Sequence, residues 1–135
     1  MANNPHFSVS ARNAMLTDVN TTLGSSAVFI IYAGVQPADV SAATTAANVA
    51  IASAAFTQSS AFGAAASGSM TANAITSDSS AVGGTAAWFS LCKVTGTRVA
   101  DGSAGTSGAD LNLNSVTITT GATVAITAFT VTMAA

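Results

Sequence analysis

The sequence predicts a mainly β fold: a β-sandwich or jelly-roll-like domain with one short N-terminal helix. Three observations carry that expectation. Apolar runs of strand length stand at Phe29 to Tyr32 and Trp88 to Leu91, and β-branched residues alternate with small or polar ones from Val116 onward. Gly-marked turns separate these runs. Helical apolar spacing occurs in a single stretch near the N-terminus.

That stretch is Ser10 to Leu23, where Leu16, Val19 and Leu23 recur at three- and four-residue spacing, Ser10 is placed to cap the start and Gly24 to end it. Ala27 to Tyr32 reads as the first strand. From Val35 to Ser69 the chain is rich in Ala, Ser and Thr. Alternating Val49 and Ile51 favour strands there, with a short helix within residues 40–50 as the competing reading. Ser69 to Thr76 is expected to be a strand and Ser77 to Gly84 a loop. Ala86 to Val94 is expected to be an interior strand, with Phe89 and Leu91 on one face and Trp88, Cys92 and Val94 on the other. Arg98 to Ala100 reads as a short return strand, Asp101-Gly102 as a turn, and Ser103 to Asp110 as a Gly-punctuated loop. Val116 to Ile126 reads as a hairpin turning at Thr120-Gly121. The apolar phase then changes near Ala128, from Val124 and Ile126 at even positions to Phe129, Val131 and Met133 at odd ones. A period of two changes face only through a β-bulge or a move to another sheet or partner. The expected organisation is an N-terminal arm, residues 1–9, and one β-rich domain, residues 10–135.

Charge narrows the function classes. The 135 residues include only three basic and five acidic side chains, 6% charged in all, against about a quarter in an ordinary soluble domain. Arg12, Lys93 and Arg98 under a net charge of −2 make no phosphate-neutralising stripe, so nucleic acid is not an expected partner. No apolar run has membrane-spanning length, and the first ten residues lack the basic and apolar regions of a secretory signal. No membrane partner and cytoplasmic synthesis are therefore expected. Cys92 is the single cysteine and lies in the strand-like run, where a small buried hydrophobe is the expected role.

No catalytic constellation is expected, and no cofactor. His6 is the sole histidine and lies in the N-terminal arm, away from any nucleophile and orienting acid. Asp78, Asp101 and Asp110 stand beside Ser or Gly, where Asp ordinarily favours turns. For metals, Asp101, Ser103, Asp110 and Asn112 offer hard oxygen donors but match no calcium-loop spacing. Gly102, Gly105 and Gly108 lack the following Lys of a phosphate loop. Tyr32 and Trp88 raise a glycan- or receptor-binding alternative, against which Trp88 sits inside an apolar run.

What the residues favour is assembly. Strand-rich proteins normally guard their sheet edges with Lys, Pro, bulges or covering elements, and a chain this poor in charge is expected to have its edges covered by neighbours. Phe7 and Val9 in the arm, and Phe129, Val131 and Met133 in the phase-shifted end, are the expected interaction residues.

Phe29 to Pro37 (FIIYAGVQP), Thr71 to Ser80 (TANAITSDSS), Ala86 to Leu91 (AAWFSL) and Asp101 to Asn114 (DGSAGTSGADLNLN) together resemble segments of a group of small tailed-phage virion structural proteins. The resemblance extends to Arg12 to Gly24 and to the terminal Thr-rich strands. It implies a non-enzymatic capsid decoration or cement protein that binds the assembled major capsid protein on the outer capsid surface as a dimer or trimer. A tail or tail-tube-associated protein is the alternative.

Overall fold

The computed structural model describes residues 5–135, which form one helix and nine mostly short strands. Helix α1 spans Val9–Leu23. Its cap is Ser8 rather than the expected Ser10: the Ser8 Oγ accepts from the Ala11 N–H at 3.2 Å, satisfying one of the donors a helix start leaves open. Gly24, at φ 72, ends the helix and donates to Asn20 O. Leu16 and Leu23 are buried in the core. Because Val9 is the first helical residue, Pro5 to Ser8 are the described residues of the expected arm that precede the helix. Residues 1–4 of that arm lie outside the described residues.

The largest sheet contains β1 (Val28–Tyr32), β2 (Ala50–Ala55), β5 (Trp88–Cys92), β6 (Arg98–Gly105) and β7 (Leu111–Asn112), in the order β2-β1-β5-β6-β7. It curls into a half-barrel. Two small sheets accompany it: β3 (Ser69–Thr71) with β9 (Thr130–Thr132), and β4 (Gly84–Thr85) with β8 (Thr117–Ile118). The aromatic centre of the core lies between layers. Phe29 stacks on Phe89 at 4.7 Å, and Phe129 meets both rings edge-on at 5.2 and 5.3 Å. These contacts add about 0.5–1.5 kcal/mol per pair beyond simple burial.

The expected first and interior strands both form, and every residue of β5 is buried. Val94 is a correction. It lies beyond the strand end, in the turn to β6, and is largely exposed. Asp101-Gly102 is a second correction, since β6 runs straight through it, with Phe89 opposite Gly102 and Ser90 opposite Asp101. The glycine serves close approach here. A Cβ at residue 102 would lie 2.5 Å from Phe89 Cε1.

The third correction is the hairpin at residues 116–126. Its turn exists, with Gly121 at φ 76 and Ala122 N bonded to Thr119 O, but its legs do not pair with each other. Both pair with residues 78–85: Thr117 and Ile118 with Thr85 and Gly84, and Val124 with Asp78. Residues 40–50 hold no helix. Asn48 Oδ1 accepts from Thr45 N at 2.8 Å and Asp39 Oδ1 accepts from Ser41 N at 2.7 Å, so side chains offer the backbone turn partners that compete with helix. The phase change near Ala128 marks a change of sheet. Ile126 and Phe129, three residues apart, are both buried, after which β9 joins β3.

Candidate functional site

The half-barrel has two boundaries, β2 and β7. The chain itself covers the first. Along β2, Ile51 O accepts from Val82 N, Ala55 O accepts from Thr76 N, and between them Ser53 N donates to Asp78 Oδ2 at 2.7 Å. The other Asp78 oxygen accepts from Ser80 N and Oγ. The N–H bonds from Ser53 and then Ser80 hold the Asp78 carboxyl below the ordinary carboxylate range. An edge expected to need a neighbour is thus closed by residues 76–82 and one carboxylate.

The opposite boundary, β7, is two residues long and runs parallel to β6. Beside it Asp110 Oδ2 accepts from Ser103 N and Oγ, at 2.8 and 2.7 Å, which holds this carboxyl low as well.

An open edge remains at β9. Ala72 N donates to Phe129 O and Met133 N to Gly68 O, which sets the alternation of the β3–β9 ladder. Residues 129, 131 and 133 therefore bond toward β3, and the backbone N–H and C=O groups of Thr130 and Thr132 point away from it. No described strand pairs on that side. The edge borders a groove of about 250 Å³, floored by Phe89, Leu91 and Ala100 and reaching Asp110. The hydroxyls of Thr132 and Thr130 bond those of Ser69 and Thr71 on the outer face.

The expected interaction residues stand in two settings. Phe129 is 8% exposed, and Val131 and Met133 pack against the core, so the three are working members of the domain rather than spare surface. The side chains of Thr130 and Thr132 are exposed. Phe7 and Val9 are 44% and 48% exposed. The phase change pointed to this segment. Which of its atoms face outward depends on pairing with β3, a partner far away in sequence.

The reverse face of the sheet carries a second construction that the sequence did not reveal. Trp88, with no exposed surface, lies under Tyr32 at 4.3 Å, and the Arg98 guanidinium stands 5.5 Å from its ring centre. Arg98 Nη1 pairs with Asp101 Oδ2 at 2.7 Å, while Nη2 donates to the carbonyls of Asp39 and Ala42. This clasp pins the 39–42 loop over the sheet. Its guanidinium is consumed by these bonds, and Trp88 presents no face on which a sugar can stack. Tyr32 alone lines the adjoining cleft of about 490 Å³, with Val40 to Thr44 and Gly96 to Arg98. Burial pushes the Tyr32 hydroxyl and the Cys92 thiol above their usual ranges. The thiol is fully buried and beside Ser90 Oγ, as expected of a structural cysteine.

The four oxygen donors considered for calcium do not converge. Asp101 turns to Arg98, Asp110 to Ser103, and Asn112 Oδ1 accepts from Ala109 N. Among the described residues no cluster of three or more His, Cys, Asp or Glu side chains is placed to hold a metal, and no helix is long and apolar enough to cross a membrane. Comparison with protein-family models, curated proteins and solved structures gives no match.

Proposed function

We propose that the chain is a non-enzymatic structural component of a tailed-phage virion: a capsid decoration or cement protein that binds assembled major capsid protein on the outer surface and associates with copies of itself. The observation that carries this reading is an uncharged open strand edge on a chain with almost no ionic surface. The carboxylates of Asp78, Asp101 and Asp110 brace the chain's own backbone or the Arg98 clasp. The segmental resemblance to small virion proteins supports the same reading.

We read the half-barrel with its small β3–β9 and β4–β8 sheets as a β-sandwich of jelly-roll kind left open beside β9. Binding of such a module only to the assembled shell stabilises that shell by mass action. Attachment then rests on backbone hydrogen bonding, shape and apolar burial, with little counterion dependence. Electron cryomicroscopy of mature particles tests the assignment. Density for this fold on the head shell is the expected result. Density confined to the tail replaces it with the tail-associated alternative, and absence from particles overturns both.

A further inference from the structure

In the connection between β1 and β2, no residue from 34 to 49 is buried, and none of its Val or Ala side chains packs on the core. The feet of this excursion meet. Ala33 N donates to Val49 O at 2.9 Å, Asn48 Nδ2 donates to Val35 O at 2.7 Å, and Gly34, at φ 87, has no room for a Cβ beside the Ala47 carbonyl. Residues 36–47 therefore form a strap closed at its base, an Ω-loop. Its two turns brace themselves: Ser41 N and Oγ donate to Asp39 Oδ1 and Ala42 N to Asp39 O, while Thr45 N and Oγ donate to Asn48 Oδ1.

Beyond the feet, one side chain bonds the strap to the rest of the domain among the described residues. It is Arg98, whose Nη2 donates to the carbonyls of Asp39 and Ala42. A cleft of about 490 Å³ separates Tyr32, the strap residues Val40 to Thr44 and the turn residues Gly96 to Arg98, so the strap stands off the sheet instead of packing on it. Arg98 keeps its place without the strap, because Asp101 Oδ2 holds Nη1 at 2.7 Å and the guanidinium lies 5.5 Å from the Trp88 ring centre. Release of the strap thus breaks the bonds of one nitrogen and unpacks no core residue, the condition under which a segment opens locally at lower free energy than the whole domain.

We infer that residues 36–47 are a latched flap: they swing as one unit on the paired feet at residues 33–35 and 48–49, Arg98 Nη2 is the latch, and opening uncovers Tyr32 and the Trp88 ring while the domain stays folded. The stack of those two rings, 4.3 Å between centres, is what the flap guards. This motion needs no partner and is independent of the virion reading.

Amide hydrogen exchange in the intact protein tests it, read at Ser41, Ala42 and Thr45 in the strap against the amides of β5. The strap amides are expected to exchange faster than β5 and at rates that low urea leaves unchanged, whereas β5 exchange quickens with urea. Strap amides that share the rate and urea dependence of β5 open only with the whole domain, which overturns the flap. Arg98→Lys keeps a cation for Asp101 but loses the planar fork that reaches the strap as well. In this variant Ala42 exchange is expected to quicken about tenfold, the effect of losing one charge-assisted hydrogen bond, with Ala33 at the foot unchanged. Acrylamide is expected to quench Trp88 more strongly than in the parent. Parent-like Ala42 exchange in Arg98→Lys overturns the latch, and faster strap exchange with unaltered quenching overturns the cover over Trp88. The parent comparison decides between flap and rigid loop even if the variant does not fold.

Discussion

Asp78 Oδ2 accepts the backbone N–H of Ser53 at 2.7 Å and so ends the large sheet with a carboxylate where a foreign strand would otherwise pair. The same residue binds Val124 through its backbone in both directions, at 2.9 and 2.7 Å. One aspartate therefore joins the β2 edge to the returning C-terminal segment, and its loss is felt in both.

Asp78→Ala is expected to lower unfolding free energy by about 1.5–3 kcal/mol, the range for hydrogen bonds to a charged acceptor. It also bares Ser53 N–H on a long edge, so the variant aggregates at concentrations where the parent stays clear. Denaturant titration and light scattering measure the two effects. An unchanged midpoint contradicts the role given to this carboxylate.

Acid is expected to destabilise the fold through the same groups. Asp78 and Asp110 have folded-state pKa values lowered by the N–H groups bonded to them. Their contribution is complete above the unfolded carboxylate pKa, near 3.9, and is lost as pH falls through the lower folded values. Melting temperature should hold level from pH 7 to about pH 5 and fall below that. The slope should be shallower in Asp78→Asn, and an identical profile in that variant contradicts the assignment.

Glycines in the Asp101 to Asn114 run are expected to differ sharply in their tolerance of alanine. At Gly102 the added Cβ meets Phe89 within the sheet, an overpacking that costs about 1–3 kcal/mol. Gly108 has open space but φ +66, so Gly108→Ala carries a backbone cost of about 1 kcal/mol. Equal costs at the two positions contradict the reading of Gly102 as a packing residue.

Arg98→Ala is expected to free the 39–42 loop and leave Asp101, 6% exposed, without its cation. Breaking a buried pair in this way costs about 3–5 kcal/mol. Trp88 is the single tryptophan, so its fluorescence reports the event directly, with a red-shifted emission as water enters beside the ring. Arg98→Ala combined with Asp101→Ala should recover part of the stability, since the unpaired charge is gone. Unaltered emission in the single variant argues against the clasp.

Local sequence made β1, β5 and α1 legible because each carries its own signal: a five-residue apolar run, a second run broken only by Ser90, and Leu16 and Leu23 at helical spacing. Failures occurred where a distant partner decides. Asp101-Gly102 has the composition of a turn, and Phe89 across the ladder makes the glycine a strand residue. Residues 116–126 have the alternation of a hairpin, but residues 78–85 take up the pairing of both legs. Sparse charge indicated that edges matter. It did not show that Asp78 closes one and that β9 leaves another open, since these facts arise from contacts across 25 and 63 residues.

The most direct test of the central claim, that this charge-poor module acts by docking on an assembled shell, is co-sedimentation of the purified protein with undecorated capsids from low to high salt. The account predicts saturable binding at a fixed ratio to major capsid protein, little altered between 0.05 and about 1 M salt, where exposed charge interactions are screened within about 3 Å. Failure to bind shells at any salt concentration, by protein that is folded, contradicts it.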